Sequence, residues 1–225
     1  MNILIVGGGL VGSTLAARLS QSGHDVVLIE RAGELARRLT ARLDVQVIEA
    51  DGTLARVLRE AGVEKADVVV AVTESDEANM VVAMLSATLF EVPRMLVRLR
   101  EAGHREGFAG MARERPRDYR AILPVTAAVD RTLALLVVPG ALDVAPFMDG
   151  ELLVAGFRIK EGSDLAGLPV SHMGLLFADA PTLVAAIQRG SRWIVPHGGE
   201  ELRAGDIGYF AIARADLDSV VSLVR

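Results

Sequence analysis

A chain of 225 residues has room for one large domain or two small ones. Its composition, 51% hydrophobic and 24% charged, excludes a disordered chain, and a net charge of −5 with acids and bases interleaved excludes a basic surface built for nucleic acid. The absence of cysteine excludes disulfides, a thiol nucleophile and a thiolate metal site.

The chain opens directly into a strand, Ile3–Val6, without the basic start, apolar core and small-residue cleavage site of a secretory leader. A cytoplasmic protein is expected. The longest uncharged stretch, Met1–Ala17, is interrupted by three glycines, and the most apolar one, Ala78–Phe90, is 13 residues. Both fall short of the roughly 20 apolar residues of a membrane span. No direct membrane insertion is expected.

Over the first 120 residues, β-branched runs recur at Ile3–Val6, Val26–Ile29, Val45–Ile48, Val68–Val72, Met95–Val97 and Ala121–Leu123. Helical spacing lies between several of them: Leu15/Leu19, Leu35/Leu39/Leu43, Leu54/Val57/Leu58 and Met80/Val81/Met84/Leu85/Leu89. Gly23 and Gly62 follow two of these helices, where a left-handed cap wants glycine. The alternation predicts an α/β fold, a Rossmann-like parallel sheet covered on both faces. Arg113, Arg115, Arg117 and Arg120 form the densest basic cluster, but Glu114 and Asp118 interrupt it, so it reads as a solvated helix end or loop.

After Pro124 the pattern changes. Thr126–Val138 predicts one helix, ended by Pro139-Gly140. Short strands are expected at Leu152–Ile159, Asp164–Pro169, Thr182–Arg189, Trp193–Pro196 and Ile207–Ala213, then a helix at Ala215–Val224. This is a small α+β C-terminal domain. The expected division is 1–140 and 141–225.

Gly7-Gly8-Gly9-Leu10-Val11-Gly12 contains G-x-G-x-x-G between a strand and a helix, the context in which it binds dinucleotides. Gly7 makes the tight turn, Gly9 lets a pyrophosphate approach, and Gly12 allows close helix–strand packing. Glu30 ends the second strand, 18 positions after Gly12, where a carboxylate accepts ribose hydroxyls and repels a 2′-phosphate; Arg31 partly offsets that repulsion. Two more loops follow strand ends: Asp51-Gly52-Thr53, and Thr73-Glu74-Ser75-Asp76 with Asn79 one turn on. Thr53 and Asp76 also read as helix N-caps. The four histidines, His24, His104, His172 and His197, share no motif or metal spacing, so no catalytic base and no metal site is expected. A pocket without visible chemistry points to sensing.

Ile3–Leu19, the run Ala66–Met80, Ile122-Leu123-Pro124, Pro139-Gly140-Ala141 and Gly205-Asp206 together resemble the regulatory subunits of Trk/Ktr-type potassium uptake systems. Those subunits pair an RCK-type nucleotide domain with a TrkA-C-type ligand domain. The resemblance implies homodimers that assemble into a ring beneath a membrane-embedded potassium translocating subunit, at the inner face of the membrane. It implies that NAD(H) or ATP/ADP at the glycine loop gates transport. The implied contacts are Gly7, Gly9, Leu10, Val11, Gly12, Glu30, Arg31, Asp51, Gly52, Thr53, Thr73, Glu74, Asn79 and Arg98, with Thr126–Val138 as a crossover helix that grips a partner. Leu10 stands where Ktr-like members carry arginine, which favours NAD(H) over ATP/ADP. A small NAD-dependent oxidoreductase, and a ligand-binding module without a membrane partner, stay open as alternatives.

Overall fold

The computed structural model describes residues 1–113, 118–147, 150–177, 180 and 182–224. Arg115 and Arg117 of the basic cluster lie outside the described residues. The chain divides into two compact units, Met1–Val125 and Thr126–Arg225.

In the first unit six strands run parallel: β1 (Asn2–Val6), β2 (Asp25–Glu30), β3 (Gln46–Glu49), β4 (Val68–Ala71), β5 (Arg94–Arg98) and β6 (Asp118–Ile122). Their order is β3-β2-β1-β4-β5-β6. The connecting helices are α1 (Leu10–Gln21), α2 (Gly33–Arg42), α3 (Ala55–Glu60), α4 (Asp76–Thr88) and α5 (Ala102–Arg113). The two-residue period of a strand sends alternate side chains to opposite faces. Ile3 and Ile5 accordingly pack with Ala16 of α1 and Leu39 of α2. Leu4 and Val6 pack with Val57 and Leu58 of α3, Val82 and Ala83 of α4, and Phe108 of α5. Both faces of β1 are therefore core, as its unbroken aliphatic run requires. Gly23 (φ +78°) and Gly62 (φ +82°) take the expected left-handed conformation.

Helix α5 is the element that sequence periodicity does not announce. Gly103, Gly107 and Gly110 dilute its pattern, yet Phe108 is buried against the sheet and holds it there. Tertiary packing overrides weak propensity here.

Helix α6 (Pro124–Val137) starts in the last two residues of the first unit; the second unit continues with β7 (Asp143–Phe147), β8 (Leu152–Arg158), α7 (Met173–Leu176), β9 (Thr182–Arg189), β10 (Arg192–Ile194), β11 (Ile207–Ala213) and α8 (Leu217–Val224). Its five strands form an antiparallel sheet in the order β10-β9-β11-β8-β7. The division falls before residue 140 because Ala134 and Val138 are buried in the second core. Phe210 centres that core, its ring 6.2 Å from those of Phe157 and Phe177. The strand expected at Asp164–Pro169 is a run of turns fixed by buried Leu165; only Pro169 joins a bridge, with Glu201. Strand β7 was not expected, since Pro146 removes a ladder donor; it sits at the sheet edge, where that loss is tolerated.

One buried carboxylate ties the second sheet to its last turn. Asp206, 3% exposed, accepts hydrogen bonds from Arg189 Nη2 (2.8 Å), Arg189 Nε (3.0 Å) and the Arg203 N–H (2.9 Å). Burial alone would raise its pKa, but the Arg189 guanidinium and the Arg203 N–H outweigh burial and hold it low. Asp206→Ala leaves Arg189 with Glu200 as its remaining carboxylate partner. Chemical denaturation should show the second unit destabilised by about 3 kcal/mol.

Candidate functional site

The strand order places a topological switch between β1 and β4, whose connections leave in opposite directions and open a crevice at the C-terminal edge of the sheet. The glycine loop sits there. Gly7 has φ +107°, and a β-carbon on it would lie 2.8 Å from the Thr73 nitrogen and 2.9 Å from its Cα. A β-carbon on Gly12 would collide with the Gly7 carbonyl oxygen. Gly7 and Gly12 are thus consumed by backbone-on-backbone packing. Gly9 differs: it is exposed, extended (φ −61°, ψ −169°), and a β-carbon there would meet nothing within 4 Å. It is the N-cap of α1 with no side-chain cap, so the first-turn N–H groups of that helix have no side-chain acceptor. Such an end favours an anion.

Glu30 reaches the loop from the end of β2. Its Oε2 accepts the Gly8 N–H at 2.6 Å and its Oε1 accepts the Ala32 N–H at 2.8 Å. Each oxygen keeps a further lone pair. Leu10 is 85% exposed at the loop tip, whereas Val11, also in the first turn of α1, is half-buried against the core. Arg31 is exposed next to Glu30.

Past β3, Asp51 Oδ1 accepts both the Thr53 N–H (2.9 Å) and its hydroxyl (2.7 Å). Those two bonds, the backbone one first, hold the Asp51 carboxyl below its usual range. Gly52 is buried, and a β-carbon there would press on Val6 Cγ1 at 2.5 Å. Thr53 does not cap α3; the residue at that position is Leu54, without a side-chain bond.

Past β4, Thr73 donates its N–H (2.9 Å) and its hydroxyl (2.7 Å) to Asn79 Oδ1. Fully buried Asn79 donates in turn to the carbonyls of Thr73 (3.2 Å) and Arg98 (2.9 Å). Arg98 points back over this loop, with Nη1 3.5 Å from the Thr73 carbonyl and a buried Nε that has no partner. Glu74 is exposed. The cap of α4 is Ser75, whose hydroxyl accepts the Ala78 N–H, and not Asp76.

Asp76 does something that sequence spacing could not reveal. Only 3% exposed, its Oδ2 accepts the N–H groups of Arg100 (2.8 Å) and Glu101 (2.9 Å) and meets His104 Nδ1 at 3.2 Å. It thereby fastens the start of α5, 24 to 28 positions on. Burial works against its charge, but the Glu101 and Arg100 N–H groups prevail and lower its pKa to about 2.

The structure therefore brings Gly7, Gly9, Gly12, Glu30, Thr73, Asn79 and Arg98 together at the C-terminal ends of the strands. It places Asp51, Gly52 and Thr53 on the neighbouring loop at the same sheet edge. Among the described residues no group of three or more histidine or acidic side chains is placed to hold a metal.

A domain model described as TrkA-N domain matches residues 3–112. The whole chain is 33% identical to the Trk system potassium uptake protein TrkA of Halomonas elongata, covering 49% of that protein. It is 28% identical to the Trk system potassium uptake protein TrkA homolog of Pyrococcus abyssi, covering 94% of this chain and 92% of that one. The chain thus spans about half the length of the first relative and nearly all of the second. Among solved structures, the GsuK channel bound to NAD aligns with a TM-score of 0.68 at 20% identity, over 100% of this chain and 39% of that one. That likeness is one of fold.

Asp76 carries a pH signature. Its stabilising contribution is complete above its ordinary pKa of 3.8 and is lost as pH falls through about 2. Asp76→Asn should cost about 2 kcal/mol at neutral pH. Denaturation midpoints of variant and parent should converge between pH 4 and pH 2.

Proposed function

We propose, from the match of residues 3–112 to the TrkA-N domain model, that the chain is a nucleotide-sensing regulatory subunit of a potassium uptake system. The observation that carries this reading is the division of labour in the glycine loop. Gly7 and Gly12 are filled by the protein's own backbone, while Gly9 faces open space at an uncapped helix start. A loop needed only as a turn would have no use for a bare Gly9. A pyrophosphate does, because it must approach the backbone closely.

In this reading NAD(H) is favoured over ATP/ADP. Leu10 puts an exposed apolar side chain, not a cation, at the loop tip. Glu30 keeps free lone pairs beside the loop for ribose hydroxyls. The name of the Halomonas relative supplies the potassium uptake system, and the neighbour's bound NAD agrees with the ligand. The ligand is sensed rather than transformed: it shifts a conformational equilibrium by binding one state better than the other.

The partner is a membrane-embedded potassium translocating subunit, reached from the cytoplasm. No helix among the described residues is long and apolar enough to cross a membrane. Helix α6 exposes Leu136 (74%), Val125 (57%) and Val137 (55%), which suits a helix that contacts another subunit in a homodimer and ring.

Calorimetric titration tests the site. Gly9→Ala should fold with stability within about 1 kcal/mol of the parent, yet bind NADH at least about tenfold more weakly. Glu30→Ala should also lose about tenfold. Alanine at Gly7 or Gly12 should instead destabilise the fold by upward of about 2 kcal/mol. Unchanged NADH affinity in Gly9→Ala, or steady NADH oxidation by the purified protein, overturns the reading.

A further inference from the structure

We propose that His104 and Asp76 form a proton-operated latch that couples pH to the crevice: protonation of His104 tightens α5 onto the loop after β4 and raises nucleotide affinity. The proposal rests on the nucleotide reading above and adds a regulator to the same site.

Helix α5 is weak by composition. Gly103, Gly107 and Gly110 each cost about 1 kcal/mol relative to alanine. Its start is fastened from outside, by the single Asp76 oxygen that accepts the Arg100 and Glu101 N–H groups. His104, on the first turn, meets that same oxygen at 3.2 Å. Its side chain is 39% exposed, so solvent protons reach it, while the Asp76 side chain is 4% exposed.

The chemistry gives the latch its sign. A neutral imidazole bonds to Asp76 only when its one proton sits on Nδ1. The imidazolium always has that proton and adds a charge-assisted bond. Histidine is the side chain whose charge ordinarily changes across neutral pH. The charges around it are Asp76 and Glu77 on α4, and Arg100, 3.6 Å from Asp76 Oδ1, beside the α5 N-terminus. Glu101 and Arg105 flank the histidine with opposite charges on its own segment. On β6, which also packs on α5, Asp118 pairs with Arg120 at 2.6 Å and with Arg94 at 3.3 Å.

The latch reaches the crevice through buried contacts. Asp76 and Asn79 stand one turn apart on α4, Asn79 fixes Thr73 by its N–H and hydroxyl, and Thr73 is the wall on which Gly7 closes. A proton at His104 and a nucleotide at Gly9 therefore bias one connected element.

The test is NADH titration of the intact chain and of His104→Gln at pH 6 and pH 8, with amide exchange of residues 102–113 in both. The proposal expects about fivefold tighter NADH binding at pH 6 in the parent. It expects no such gain in His104→Gln, and added α5 protection at pH 6 in the parent alone. An equal pH dependence in both proteins, or none in the parent, overturns it. If NADH binds at neither pH while α5 protection still follows the proton only in the parent, the latch stands and the nucleotide reading fails.

Discussion

At the centre of the first unit there is no room for a β-carbon. The Gly7 α-carbon lies against the backbone of Thr73, and Gly12 lies against the Gly7 carbonyl. These two contacts decide how far α1 descends towards the sheet and how closely the β4 connection approaches β1. The crevice exists because both approaches are as tight as backbones allow. Gly9, between these two packed glycines, is left bare and uncapped. The proposed ligand contact is thus a consequence of close packing on either side of it.

Much of this is legible in the residues themselves. Runs such as Ile3-Leu4-Ile5-Val6 have no polar face, so as strands they must be buried on both sides. The glycine spacing and Glu30 locate the crevice, since strand, loop and carboxylate are close in sequence. What is not legible depends on partners far along the chain. Asp76 looks like a helix cap until Arg100, Glu101 and His104 come round to meet it. Helix α5 is hidden by its glycines and revealed only by the pocket that Phe108 fills. The turns at 164–169 carry an apolar pattern because Leu165 is core, and that pattern cannot say whether the backbone pairs with a neighbour.

Each unit is also stapled by one buried carboxylate, Asp76 in the first and Asp206 in the second. Both accept several N–H groups from segments that would otherwise be loosely joined, and both stay ionised although burial opposes it. The difference lies in what answers the charge. Asp206 has a guanidinium that bonds it through two nitrogens, a permanent partner. Asp76 is held mainly by backbone N–H groups and an imidazole, with the Arg100 guanidinium farther off at 3.6 Å. The first arrangement suits a fixed scaffold and the second suits a part that responds.

The central claim is that a dinucleotide lies across the bare glycine and reaches the carboxylate at the end of β2. Backbone amide NMR during titration with NADH tests it most directly. The account predicts saturable shifts concentrated at residues 7–12, 30–32 and 73–79. Shifts confined to residues 126–224, or no saturable shift at all, would contradict it.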